Sequence, residues 1–138
     1  MTLTDAGPLL AILDADDQHH AKCVSALEEL GPEPMITTWP CFTEAMHLLG
    51  RSGGFRAQAT LWELYAQGHL VLHEPATAEV ARTAALMSKF RDAPMDLADA
   101  SLVAAAEALS LSRVFTVDRH FYVYRLADGS ALQIIPRR

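Results

Sequence analysis

Short apolar or β-branched segments alternate with helical stretches along the whole chain, and this alternation narrows the fold more than any other feature. The segments are MTLT (Met1–Thr4), MITT (Met35–Thr38), HLVLH (His69–His73), RVFTVD (Arg113–Asp118) and ALQIIP (Ala131–Pro136). Between them, residue spacing predicts helices over Gly7–Leu13, Ala21–Leu30, Pro40–Gly50, Gly54–Gln67, Thr77–Phe90 and Asp96–Leu109. Pro8 is acceptable in a first helical turn, and the GPEP stretch after Leu30 breaks the helix before it. Strands separated by helices point to a parallel sheet covered on both faces, the α/β class. The 138 residues fit one domain spanning 1–138, with a sizeable core. Helical spacing places Phe55, Leu61, Trp62 and Tyr65 inward, and sets Val80, Ala84 and Met87 on one face. Trp39 and Phe42, flanking Pro40, read as core.

Several function classes drop out early. No apolar run reaches the roughly 18 residues a membrane span requires, and the N-terminus lacks the basic start of a secretory signal. The expectation is a cytoplasmic protein without a membrane partner. Cys23 and Cys41 form no C-x-x-C pair and read as buried thiols. His69 and His73 share one face of a strand, which is weak evidence for zinc. G-x-S-x-G, H-E-x-x-H and the P-loop pattern are all missing. Net charge is −6, unevenly spread: residues 1–50 hold eight acids against Lys22 alone, and the remainder nine acids and ten bases. A protein of this charge handles a polyanion only through a local basic rim or bound cations.

The acids are placed more tellingly than their number suggests. Asp5 and Asp118 each end a strand segment, and ligands of open α/β sheets sit beyond the carboxyl ends of strands. In PMDLADASLV, Pro94 biases Ala93 away from helical geometry, so the helix starts later, with Asp96 as N-cap. Asp99 then falls on the face of Leu102, Val103 and Ala106, which should be packed. An acid in a first turn suits the helix dipole, but a buried carboxylate is costly unless paired, hydrogen-bonded or metal-bound. Glu44 lies one turn into the helix that Pro40 opens. Four acids converging on one sheet edge repel and need a compensating cation. Oxygen-only ligands favour a hard ion, Mg²⁺ or Mn²⁺.

This set resembles the PIN domain and, within it, the VapC-like toxins of toxin–antitoxin pairs. The matching pieces are TDAGPLLAILD, TTWPCFTEA around Glu44, PMDLADASLVAAAEAL and VFTVDRHF, in the family's order over nearly the whole chain. The family's acids map to Asp5, Glu44, Asp99 and Asp118; Thr116 matches the Thr/Ser two residues before the last acid, and Asp96 is an extra acid. The resemblance implies a three-layer α/β/α fold with a short parallel sheet and a Mg²⁺- or Mn²⁺-dependent endoribonuclease. It also implies a cognate antitoxin and a homodimer.

Arg82, Lys89, Arg91, Arg119 and Arg125 are candidates for a phosphate-binding rim. His120, close behind Asp118, is a candidate substrate contact, whereas His19 and His20 read mainly as a solvated loop. The alternatives are a housekeeping PIN-domain RNA-processing nuclease or a non-catalytic PIN-like binding module. A haloacid-dehalogenase-like phosphatase would show D-x-D where this chain has Asp5-Ala6-Gly7. A receiver domain needs adjacent acids after the first strand and a late lysine, which are missing too.

Overall fold

A computed structural model describes residues 1–137. Among them, five strands form one sheet: β1 (Thr2–Thr4), β2 (Met35–Thr38), β3 (Leu70–His73), β4 (Arg113–Phe115) and β5 (Gln133–Ile135). Their spatial order is β3-β2-β1-β4-β5, and every pairing is parallel. The helices are α1 (Ala6–Leu13), α2 (His20–Leu30), α3 (Trp39–Ala66), α4 (Thr77–Lys89) and α5 (Leu97–Leu109), with a 3₁₀ turn at Arg119–Tyr122.

Successive strand residues point to opposite faces, and this builds two cores. Ile36, Leu3, Val114 and Ile134 form a row across the sheet through the registers Leu3↔Ile36, Leu3↔Val114 and Val114↔Ile134. That row packs with Leu86 of α4, Leu102 and Val103 of α5, Phe121 and Tyr124. The alternate residues Met35 and Phe115 pack on the other side with Leu9, Cys23, Phe42, Leu49 and Leu61, from α1, α2 and α3. The result is the expected three-layer α/β/α arrangement with a short parallel sheet. Both cysteines are buried free thiols, as read from the sequence.

The chain leaves β1 towards β2 and β3 on one side, then crosses to β4 and β5 on the other. The strand order therefore reverses between β1 and β4. A crevice opens at such a switch point, beyond the carboxyl ends of the strands. Gly7 lets the two strand exits approach: a Cβ there would lie 2.8 Å from Val117 Cγ2. The sequence had carried the fourth strand through to Asp118, but β4 ends at Phe115, and β5 is shorter than expected.

Two helical faces differ from expectation. The stretches over Pro40–Gly50 and Gly54–Gln67 form α3, interrupted at Gly54, where φ is 68°. Leu61 is buried as expected, but Phe55, Trp62 and Tyr65 are 78%, 45% and 47% exposed. The reason is length. Strands of three or four residues span roughly 10–13 Å, whereas the two halves of α3 on either side of Gly54 run roughly 18–22 Å each. Much of α3 has no sheet to cover, and its aromatics pack edge-on against each other, with Phe42–Trp62 at 4.9 Å and Trp62–Tyr65 at 6.2 Å. Phe42 is core, but Trp39 is 40% exposed and donates its indole N–H to Glu74. In α4 the buried position is Leu86; Val80 and Ala84 face outward and Met87 is half-buried.

The start of α5 is as the sequence reads. Asp96 has extended geometry and accepts a 2.8 Å hydrogen bond from the Asp99 amide. That bond occupies one of the free amides of the first turn. Asp96→Ala should therefore cost about 1 kcal/mol of stability. Urea unfolding in metal-free buffer measures this, and an unchanged midpoint would remove the cap from the account.

Candidate active site

Asp5 is the N-cap of α1 and is almost fully buried. Its Oδ1 accepts from the Ala6 amide at 2.8 Å, and its Oδ2 from the Thr116 hydroxyl at 2.9 Å. Thr116 Oγ1 in turn accepts from the Asp118 amide at 3.0 Å. One hydroxyl thus ties the carboxylate at the exit of β1 to the backbone that carries Asp118 beyond β4. Asp118 Oδ1 accepts from the His120 amide at 2.9 Å and lies 3.0 Å from His120 Nδ1.

Asp99 comes from the first turn of α5 and is likewise buried among Leu102, Val103 and Ala106. Its Oδ2 accepts a 2.8 Å hydrogen bond from the Tyr124 hydroxyl. Tyr124 is itself buried, edge-on to Phe90 and Phe121 at 5.4 and 5.1 Å. The Cys41 thiol lies 3.7 Å from Asp5 Oδ1 and 3.6 Å from the Ala98 carbonyl. Glu44 stands on the exposed rim of α3, sharing a shallow groove with Asp96.

These acids act on one another. Burial, opposed by the Thr116 hydrogen bond and reinforced by Asp118, pushes the Asp5 carboxyl above its ordinary range. Burial, with the charges of Asp96, Asp5 and Asp118 added, pushes Asp99 up to about 7 despite the Tyr124 hydroxyl. Glu44 is raised by partial desolvation and then by Asp5, Asp96 and Asp118. No lysine or arginine pairs with Asp5, Asp96, Asp99, Asp118 or Glu44 among the described residues. Apart from His120 beside Asp118, the group is a negative field at a switch point without a lysine or arginine partner among the described residues.

No three of the His, Cys, Asp and Glu side chains among the described residues stand in a ready-made metal-holding geometry. The donor chemistry still fits a hard cation. All the donors are oxygen, two are buried, and their repulsion is what a cation relieves. Mg²⁺ keeps several waters and needs only one or two direct carboxylates, so a closed protein cage is not required.

No protein-family model matches the chain. The crystal structure of VapC20 of Mycobacterium tuberculosis, described as a Sarcin-Ricin loop cleaving toxin, superposes with a TM-score of 0.77 at 15% identity, covering 86% of this chain and 90% of that one. Ribonuclease VapC26 of the same organism is 27% identical over 135 residues, spanning 97% of this chain and 99% of that protein. The chain is similar to a VapC ribonuclease over nearly its whole length, and it shares the fold of a VapC toxin. Its fold is the one the sequence motifs implied.

The expected basic rim is only partly at the acids. Arg119 lies beside Asp118 in a groove that also takes in Thr116. Arg82 instead makes a two-pronged contact with Glu107, at 2.8 and 3.1 Å. Glu107 lies eight residues beyond Asp99 on α5, about 12 Å along the helix. Arg91 donates to the Ser88 carbonyl, Arg125 to the carbonyls of Tyr122 and Tyr124, and Lys89 sits over the Phe90 ring. His20 opens α2 with Nδ1 2.6 Å from the Ala11 carbonyl, and His73 pairs with Glu79, away from any zinc-like pairing with His69. Sequence reasoning missed Tyr124 and Cys41 as neighbours of the acids. The only signal for Tyr124 was generic: a buried tyrosine hydroxyl needs a partner.

The raised Asp99 carboxyl has a signed consequence for the metal-free protein. Its folded value of about 7 exceeds the unfolded value near 3.8. The folded state therefore holds a proton that the unfolded chain releases, and that stabilisation is lost as pH rises from about 4 through 7. Asp99→Asn keeps an acceptor for Tyr124 and removes the charge. In EDTA its melting temperature should match wild type near pH 3.5 and exceed it at pH 8. A difference independent of pH would show that Asp99 is not the strained acid.

Proposed function

We propose that this chain is a divalent-metal-dependent endoribonuclease, the toxin of a toxin–antitoxin pair. The observation that supports it is the acid group at the β1/β4 switch point, in a chain aligned end to end with a curated ribonuclease. Asp5, Asp99 and Asp118 would hold Mg²⁺ or Mn²⁺, directly or through water, with Glu44 completing the set from the rim. The bound ion would polarise the phosphoryl oxygen and lower the pKa of a water.

The chain's own residues set the stage for that chemistry. Thr116 and the Ala6 amide fix both oxygens of Asp5, so its orientation does not depend on solvent. Tyr124 does the same for one oxygen of Asp99, and Asp96 anchors the turn that carries it. Such outer partners govern how well ligands are aimed. His120, on the far side of Asp118, would orient that carboxylate and meet the RNA.

An antitoxin and a second copy of the chain are the protein partners of this reading. The exposed aromatic surface of α3, with Trp39, Phe55, Trp62 and Tyr65, supports a protein-binding face.

Purified protein should cleave single-stranded RNA, lose that activity in EDTA and regain it with Mg²⁺ or Mn²⁺. Asp118→Asn should lower turnover more than the roughly 10–100-fold that loss of an outer-shell partner costs, and Thr116→Val should fall within that range. Circular dichroism checks that both remain folded. Cleavage that survives exhaustive chelation, or a folded Asp118→Asn with near-normal turnover, would contradict the reading.

A further inference from the structure

Lys22 is the only base in the first 50 residues, which otherwise carry eight acids. It does not sit among them at random. A groove of about 350 Å³ opens beside Asp118, walled by His19 and Lys22 from the start of α2 and by Thr116, Asp118, Arg119 and Tyr122 from the segment after β4. A second groove, of about 470 Å³, continues from it along β5 and the flank of α2. The two share Lys22, Ile134 and Pro136, and the second adds Arg113 and Arg137. Each is lined by one acid only, Asp118 in the first and Glu29 in the second.

Two of the cations here differ from the rest of the rim, whereas Arg113 donates to Thr2 and lies 3.9 Å from Glu33. Arg82 is taken by Glu107, and Arg91 and Arg125 by backbone carbonyls. Neither the Lys22 nor the Arg119 side chain makes an ion pair or hydrogen bond among the described residues. Both are exposed and both line the groove that contains Asp118. Two positive side chains without partners, lining a groove that contains Asp118, suit a polyanion, whose phosphates they neutralise while the reacting phosphate meets the acids.

We propose that this double groove is the path of the RNA strand, with Lys22 and Arg119 binding the phosphates next to the one that is cleaved. The proposal rests on the nuclease reading and adds the direction in which substrate leaves the acids: over the β5 edge of the sheet, between α2 and the 3₁₀ turn. The strand is single. Tyr122, 42% exposed, lines the groove and offers a ring on which an unstacked base can lie. Lys22 stands where the two channels join, so it would serve a phosphate whichever way the strand continues.

The test is fluorescence anisotropy with a 5′-labelled single-stranded RNA in EDTA, at several salt concentrations, alongside Mn²⁺-dependent cleavage of the same RNA. Lys22→Ala and Arg119→Ala should each weaken binding several-fold for any sequence, and flatten the dependence of log affinity on log salt by about 0.7 per lost contact. Arg56→Ala, an exposed base on α3 outside both grooves, should bind as wild type. The Mn²⁺-induced gain in melting temperature should be the same in all three variants, because none of these residues is placed at the ion. If Lys22→Ala and Arg119→Ala bind with wild-type affinity and salt slope, or wild type shows no saturable binding, the groove is not the RNA path, and retained wild-type cleavage would leave the nuclease reading standing. A wild type that cleaves no RNA would bring down that reading and the path with it.

Discussion

Carboxylates cannot share a low-dielectric crevice without something to offset their repulsion. Asp5 and Asp99 are both buried, feel each other and Asp118, and pair with no lysine or arginine among the described residues. The molecule meets this burden with neutral donors instead: an amide and a threonine hydroxyl on Asp5, and a tyrosine hydroxyl on Asp99. These donors aim the oxygens without cancelling their charge. In the proposed function, a counter-charge arriving from solution would meet a site already oriented.

The topology explains why the acids meet at all. Asp5 and Asp118 are 113 positions apart in the chain, yet β1 and β4 are neighbours, and the Asp5 amide donates to the Phe115 carbonyl at 2.9 Å. Thr116 then spans the short distance between them. Gly7 matters for the same reason, since any side chain there would push Val117, and Asp118 with it, away from α1. Asp99 reaches the crevice from a different layer, through the first turn of α5, and Tyr124 ties that turn to the segment following Asp118.

What the sequence revealed was local in origin. Pro94 and the three-residue spacing of Asp96 and Asp99 were enough to assign cap and buried acid, because capping is decided within one turn. Strand–helix alternation was enough for the layers, because a parallel sheet needs its crossovers. What stayed hidden depends on the extent of the sheet. Trp62 and Tyr65 have helical spacing suited to a core, but nothing in the sequence says that the strands are too short for α3 to lie along. The sequence makes Arg82 a candidate for the phosphate-binding rim, but its place on the α5 face follows from Glu107, twenty-five residues away and not marked as its partner. Tyr124 was invisible as a neighbour of Asp99 for the same reason: the hydroxyl and its acceptor meet only in three dimensions.

The most direct test is a crystal of the protein grown with Mn²⁺ and measured for anomalous scattering. The account predicts a peak in the crevice at the carboxyl ends of β1 and β4, with a carboxylate oxygen of Asp5, Asp99 or Asp118 in direct coordination and the others bonded through its waters. Strong peaks elsewhere on the protein, with none at these acids at saturating Mn²⁺, would contradict it.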